Sequence, residues 1–327
     1  MTKTSKKQYA IGLVMLSMTA LFWGAGFVLN DQLLDAVFYD TPSLLLTLRF
    51  GISALCLLAI FNKRIRLNKQ VLLYGGVGGV LLFAGFLMQT IGLKYTVPAH
   101  SGFFTASYVM YVPFITWLAY KKRPGWFCFV GVAVAVVGLV VLNFNVDELG
   151  ATNTLVGDGL TVACAIVFAL QIFWTDYSFK KNTIDRVQLT FWQVAFAAVL
   201  LLLYSVIFES KSYTSIDIVA VGDNWWQLLI VIFGGTAFAY YAQTYAQKVV
   251  PPTETSLILG CESAIGAIFS MALLIEPFSW QTVVGGLLVL AAVILVEVAP
   301  KLHQRHKHKS DDADSDTPPS DNGKDIL

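Results

Sequence analysis

Runs of about twenty mostly apolar residues recur along this 327-residue chain and constrain its fold more than any other feature. A helix needs roughly 20 such residues to cross a hydrocarbon core ~30 Å thick. Ten blocks qualify, within residues 10–30, 42–61, 71–93, 98–119, 125–144, 156–176, 187–208, 226–246, 252–275 and 279–298. The composition agrees. Charged residues make up 13% of the chain, about half the ~25% usual for soluble domains. No segment alternates apolar and polar residues as a membrane barrel strand does, so helices are expected. The prediction is an all-α integral membrane protein with ten transmembrane helices. The first block follows Lys3, Lys6 and Lys7 but is too long for a secretory signal and lacks a small-residue cleavage site, so it reads as a retained helix.

The formal net charge of +1 argues against a nucleic-acid binder. Its distribution says more. If the amino terminus is cytoplasmic, the inner segments hold every Lys and Arg except Lys94, Lys211 and Arg49. The outer segments hold Asp31, Asp35, Asp40, Asp147, Glu148, Asp158, Glu209, Asp217 and Asp223. Basic residues mark the cytoplasmic side, so both termini are predicted inside the cell, in a multi-pass protein of the cytoplasmic membrane.

Shifting the chain by 153 residues sets Val97-Pro98 on Val250-Pro251 and Pro124 on Pro277. A shift of 145 sets Gly12 on Gly157 and Asp31 on Asp176, and a shift of 144 sets Arg49 on Gln193. The landmarks predict two five-helix repeats, 10–145 and 156–299, between a cytoplasmic amino terminus (1–9) and a tail (300–327). Five crossings per repeat would invert the second half. In keeping with that, KKRP at Lys121–Pro124 falls inside and its counterpart LIEP at Leu274–Pro277 outside. Inverted repeats place a substrate site near the midplane between halves.

The order of short motifs resembles the EamA-type members of the drug/metabolite transporter superfamily. WGAGF (Trp23–Phe27), LRF (Leu48–Phe50) and GLKYT with the following P and GF (Gly92–Phe103) carry the first half. GDGLTVACAIVFA (Gly157–Ala169), GTAFAYYAQTYAQK (Gly235–Lys248) and LGCES (Leu259–Ser263), then LIEP, carry the second. The resemblance covers residues 10–299. It departs at Ser263, where many relatives have proline. It implies a carrier of amino acids, related carboxylates, nucleotide-like metabolites or drugs, with export common among bacterial members.

Polar and aromatic residues recur at helical spacing, which gathers them on single faces. The first span carries Thr19, Trp23, Gly26 and Asn30; the fourth Phe104, Tyr108 and Tyr111; the sixth Cys164, Phe168, Gln171 and Thr175; the eighth Thr236, Tyr240, Gln243 and Gln247. Gln89 in the third span and Trp192-Gln193 in the seventh add to them. Such residues can simply join helices, but stripes on several spans favour a shared polar cavity. The fifth and tenth spans are nearly pure Val, Leu, Gly and Ala and read as scaffold. GGVGG at Gly75–Gly79 reads as a close helix contact.

Two ionisable residues fall deepest, Arg49 about 10 Å and Glu262 about 15 Å from a span end at 1.5 Å per residue. Each charge costs about 2.5–3.5 kcal/mol on insertion scales, which argues for a role. Arg49 suits a substrate carboxylate, and Glu262 suits a coupling proton. The rival reading is a structural ion pair between them. Trp23, Tyr108, Trp192 and Tyr240 would wall an amphipathic metabolite. Asp176, near the inner end of the sixth span, reads as solvated, and His100 as structural.

No phosphate loop or hydrolase motif occurs, and no cofactor or metal is expected. Cys56, Cys128, Cys164 and Cys261 fall in apolar blocks and suggest no disulfide framework. Residues 300–327 turn basic and then acidic with Pro and Ser, the composition of a disordered tail. The function expected is secondary transport of a small metabolite by alternating access, an amino acid or carboxylate exported with protons as coupling ion. The alternatives are import of a vitamin-like or nucleoside-derived metabolite, or a membrane receptor or enzyme. The partners expected are substrate and lipid bilayer, not nucleic acid, and a homo-oligomer remains open.

Overall fold

The computed structural model describes residues 3–96, 98–143, 154–181, 184–273, 280–281 and 283–296, and among them there is no strand. Seven helical stretches are apolar and long enough to cross a membrane: Lys6–Phe38, Pro42–Phe61, Lys69–Leu93, Ser101–Tyr120, Leu155–Lys181, Arg186–Phe208 and Trp225–Gln247. The expected fifth, ninth and tenth spans fall on two shorter apolar helices, Trp126–Val141 and Val283–Val296, and on the 21-residue helix Pro252–Ala272. The expected tail, the LIEP segment, Val97, Asp147, Glu148 and the side chain of His100 lie outside the described residues.

In chain order the helices are α1 (Lys3–Leu33), α2 (Pro42–Phe61), α3 (Lys69–Leu93), α4 (Pro98–Ala106), α5 (Tyr108–Tyr120), α6 (Trp126–Asn143) and α7 (Thr154–Lys181). There follow α8 (Arg186–Phe208), α9 (Ile218–Asp223), α10 (Trp225–Leu229), α11 (Ala239–Gln247) and α12 (Pro252–Ala272). Residues Val283–Val296 form α13. The apolar backbone has no water to bond with inside a bilayer, so each helix satisfies its own amides and carbonyls. Ends need help. Asn68 caps α3 by accepting from the Gln70 amide, and Asp185 caps α8 through the amides of Val187 and Gln188. The first turn of α2 is capped from another helix: Glu209, just beyond α8, accepts from the amides of Ser43 (3.0 Å) and Leu44 (3.2 Å).

Two departures from α-geometry matter. The expected fourth span is broken at Ser107 between α4 and α5. The expected eighth span is π-helical from Ile230 to Phe238, between α10 and α11. A π turn leaves carbonyls with looser partners and is frequent at functional sites. Here Ser53 of α2 bonds the Ile232 carbonyl at 3.0 Å, and the Trp23 indole bonds that of Gly235 at 2.9 Å.

Packing follows small residues, which let helix backbones approach when lipid offers no hydrophobic drive. Helix α3 lies against α7 and α8, α1 against α11 and α12, and α2 against α8 and the π segment. The Gly75–Gly79 tract is the α3–α8 seam. A Cβ on Gly79 would sit 2.5 Å from Phe196 Cβ and 2.8 Å from the Gln193 carbonyl oxygen. Between α1 and α12, a Cβ on Gly24 would meet the Glu262 carbonyl oxygen at 2.7 Å. Helices α6 and α13 pack together, with Gly138 set against Leu288, and turn Val130, Val137, Leu287, Leu290 and Ile294 outward. The four cysteines are free thiols.

Because the atoms facing Gly79 include backbone, Gly79→Ala is expected to destabilise by about 1–3 kcal/mol. Gly51→Ala, which would meet nothing within 4 Å, should stay near wild type. Thermal unfolding of detergent-purified protein checks this, and equal melting temperatures for the two variants would contradict the seam.

Candidate functional site

Faces of α1, α2, α3, α4, α5, α7, α12 and the π–α11 segment line a cavity of about 50 Å³. Nine sequence candidates line it: Trp23, Asn30, Arg49, Gln89, Tyr108, Gln171, Tyr240, Gln243 and Glu262. Helix α6 and helix α13 contribute none of its lining. Such a volume holds a few waters.

Arg49 sits on α2 with 4% of its surface exposed. Its Nε donates to Thr236 Oγ1 at 3.3 Å and its Nη1 to Asn30 Oδ1 at 3.0 Å. Its guanidinium lies 5.2 Å from the Phe86 ring centroid, a cation–π distance. Both partners are themselves oriented. Asn30 Nδ2 donates to the Gly26 carbonyl at 2.6 Å, which turns the amide oxygen toward Arg49. Thr236 Oγ1 donates to Val231 O at 2.9 Å, five residues back across the widened π turn. A guanidinium has five N–H donors, and the described residues take up two of them.

Glu262 lies on α12, 3% exposed, and accepts from the Tyr108 hydroxyl at 3.0 Å. No ion pair joins it to Arg49, although both line the cavity. The structural pairing considered above is therefore absent, and among the described residues each has neutral hydrogen-bond partners. Gln89 donates to Thr105 at 3.1 Å.

On α7, α8 and α11, glutamines form one network. Gln243 Nε2 donates to the side-chain oxygens of Gln171 (3.0 Å) and Gln247 (3.2 Å). Gln171 donates to Gln193 Oε1 and Thr175, and Gln193 donates to Thr175. Gln193 is thus held behind the cavity wall. Trp192 lies elsewhere: its indole donates to the Arg66 carbonyl at 3.3 Å and its Cβ presses on Gly75. Adjacent helix residues point about 100° apart, so Trp192 and Gln193 cannot share one face.

Aromatic rings complete the walls. Trp23 lies 5.6 Å from Tyr240, and Phe86 5.2 Å from Phe168, measured between ring centroids. Phe22, Phe27, Phe86, Thr105, Ile172 and Val231 also line the cavity and were not among the sequence candidates. Two had a usable signal. Thr105 precedes Tyr108 by three residues and Phe86 precedes Gln89 by three, the spacing of one helix face. Asp176 corrects the expectation of a solvated carboxylate. It is 4% exposed, because Tyr120 donates to it at 2.8 Å and Lys180 closes over it at 2.8 Å.

A helical membrane-spanning chain with a buried polar cavity has the form of a multi-pass carrier, and comparison with known proteins agrees. The sequence profile of the EamA-like transporter family matches twice, over residues 10–144 and 155–298. The chain belongs to the EamA-like transporter family and is a multi-pass membrane transporter. An "Uncharacterized transporter" of Archaeoglobus fulgidus is 30% identical over 283 residues, 86% of this chain and 84% of that protein. The "Uncharacterized transporter YoaV" of Bacillus subtilis is 21% identical over 292 residues, 86% of this chain and 95% of its own. A solved crystal structure at 15% identity shares the fold, with a TM-score of 0.70 over 88% of this chain and 96% of that one.

Proposed function

We propose that the chain is a secondary active transporter of the cytoplasmic membrane, moving a small carboxylate-bearing metabolite, such as an amino acid, by alternating access and chiefly outward. The observation that carries this is Arg49, a buried guanidinium facing a cavity with no carboxylate bound to it. A buried charge is tolerated when it is paired, and the protein supplies Arg49 with an amide, a hydroxyl and a ring. Its unused N–H donors match a carboxylate in the bidentate geometry that arginine favours.

The alternating motion rests on two five-span repeats, ten spans in all, with the second half inverted and both termini cytoplasmic. The packing supports it by exchange. Helix α1 lies against α12 and α11, and α7 lies against α4, α5 and α3. Gly12 abuts Ala246, Val249 and Val250, while Gly157 abuts Gly92, Tyr95 and Thr96. The 145-residue shift sets Gly12 on Gly157, and the 153-residue shift sets Ala246, Val249 and Val250 one residue beyond Gly92, Tyr95 and Thr96. Arg49 bonds Asn30 as Gln193 bonds Thr175, again at corresponding positions. Halves that can trade packing partners provide two states of similar energy, related by a pseudo-two-fold axis through one site.

Glu262 is the coupling group in this reading. Its hydrogen-bond partner among the described residues is the Tyr108 hydroxyl, so it can take and release a proton without breaking an ion pair there. Proton movement would then drive the cycle.

Both roles are testable in proteoliposomes with labelled amino acids and other carboxylates. Arg49→Lys and Arg49→Ala should each lower transport about 10–100-fold, the scale of a charge-assisted hydrogen bond of about 1.5–3 kcal/mol. Unchanged transport would remove the carboxylate role. Glu262→Gln should abolish accumulation driven by a pH gradient while leaving exchange between equal solute pools. Full proton-driven accumulation by that variant would remove the coupling role.

A further inference from the structure

We propose that the side-chain oxygen of Gln243 is an acceptor subsite for a substrate ammonium, so that the cavity selects zwitterions over plain carboxylates. The inference rests on the carboxylate reading of Arg49 and extends it to the other end of the ligand.

Gln247 Nε2 donates to the Ile172 carbonyl at 2.8 Å, and a carbonyl can only accept. That fixes the Gln247 amide with its oxygen toward Gln243. Gln243 must therefore offer its NH₂ group to that oxygen at 3.2 Å, and the same group donates to Gln171 Oε1 at 3.0 Å. Turning the Gln243 amide over would set oxygen against oxygen at both contacts. The orientation is thus dictated by the network, and every amide in it points its donors the same way.

The outcome is one acceptor with nothing to accept. Gln243 Oε1 is buried and has no hydrogen-bond partner among the described residues, while Gln171, Gln193 and Gln247 each have their oxygen bonded. Gln243 is 1% exposed and lines the cavity. A buried acceptor without a donor is unfavourable, and a ligand that supplies the donor relieves it. Arg49, lining the same cavity, has the opposite deficit, with donors and no anion. Glu262 adds a carboxyl to that cavity, which favours a cationic nitrogen over a hydroxyl as the donor. A site with unused donors on one residue and an unused acceptor on another is complementary to a molecule carrying both a carboxylate and an ammonium.

The test is ligand binding to the full-length protein purified in detergent, read by thermal shift and then as dissociation constants. The twenty common amino acids are screened first. The best binder is then compared with its des-amino acid and with its decarboxylated amine, which share its side chain. The proposal expects the amino acid to bind at least about tenfold more tightly than the des-amino acid. Gln243→Leu should bring that ratio close to one, whereas Gln193→Leu, which removes a network bond but leaves Gln247 to orient the Gln243 amide, should keep it. If no amino acid binds, or if the des-amino acid binds as tightly as its parent, the proposal is overturned. Should Gln243→Leu not fold, Gln243→Met, which also removes the acceptor oxygen, is read by the same ratio, and a ratio still at about tenfold in either variant overturns the proposal. The Arg49 reading fails separately, when the decarboxylated amine binds as tightly as the amino acid or when Arg49→Ala weakens neither acid.

Discussion

Inside a bilayer a polar group finds no water, so it must be bonded within the protein or face a hydrated space. That constraint organises the whole molecule. It makes the chain helical, brings Glu209 across from the end of α8 to cap α2, and closes Tyr120 and Lys180 over Asp176. It also makes exceptions informative. The polar groups gathered away from the helix ends on α1, α2, α7, α11 and α12 surround one cavity, and two of them, Arg49 and Gln243, retain unused hydrogen-bonding capacity there.

The π segment Ile230–Phe238 links backbone geometry to this site. By widening one stretch it presents Ile232 and Gly235 carbonyls to Ser53 and Trp23, and it lets Thr236 bond five residues back while receiving Arg49. The segment contains Gly234 and Gly235, and the ring of Phe22 fills the space a side chain on Gly234 would take. Glycine here allows α1 to approach closely enough for Trp23 and Asn30 to reach the cavity.

Much of this was legible from residue order because both signals are one-dimensional. Apolar length marks spans, and 3.6-residue spacing marks faces, so Trp23 and Asn30 on one helix and Tyr240 and Gln243 on another could be grouped before any contact was known. The Gly75–Gly79 tract announced a close contact, and α3 meets α8 there. What could not be read depends on rotation and on partners. Trp192 and Gln193 are neighbours in sequence but face different surroundings, and only the packing of α3 against α8 decides which turns inward. The apolar lining of Phe22, Phe27 and Ile172 resembles any lipid-facing residue until its helix is oriented. The direction of hydrogen bonding among the glutamines depends on one carbonyl, that of Ile172, which no motif announces.

Alternating access of this cavity is the central claim, and Gly26 offers the most direct measurement. It lines the cavity, and a Cβ there would meet only Asn30 Nδ2, at 3.6 Å. Gly26→Cys, in a chain with Cys56, Cys128, Cys164 and Cys261 replaced by alanine, can be exposed to a membrane-impermeant maleimide from one face of sealed vesicles at a time. The account predicts labelling from either face, slowed by a transported solute. Labelling from one face alone, under all conditions, would contradict it.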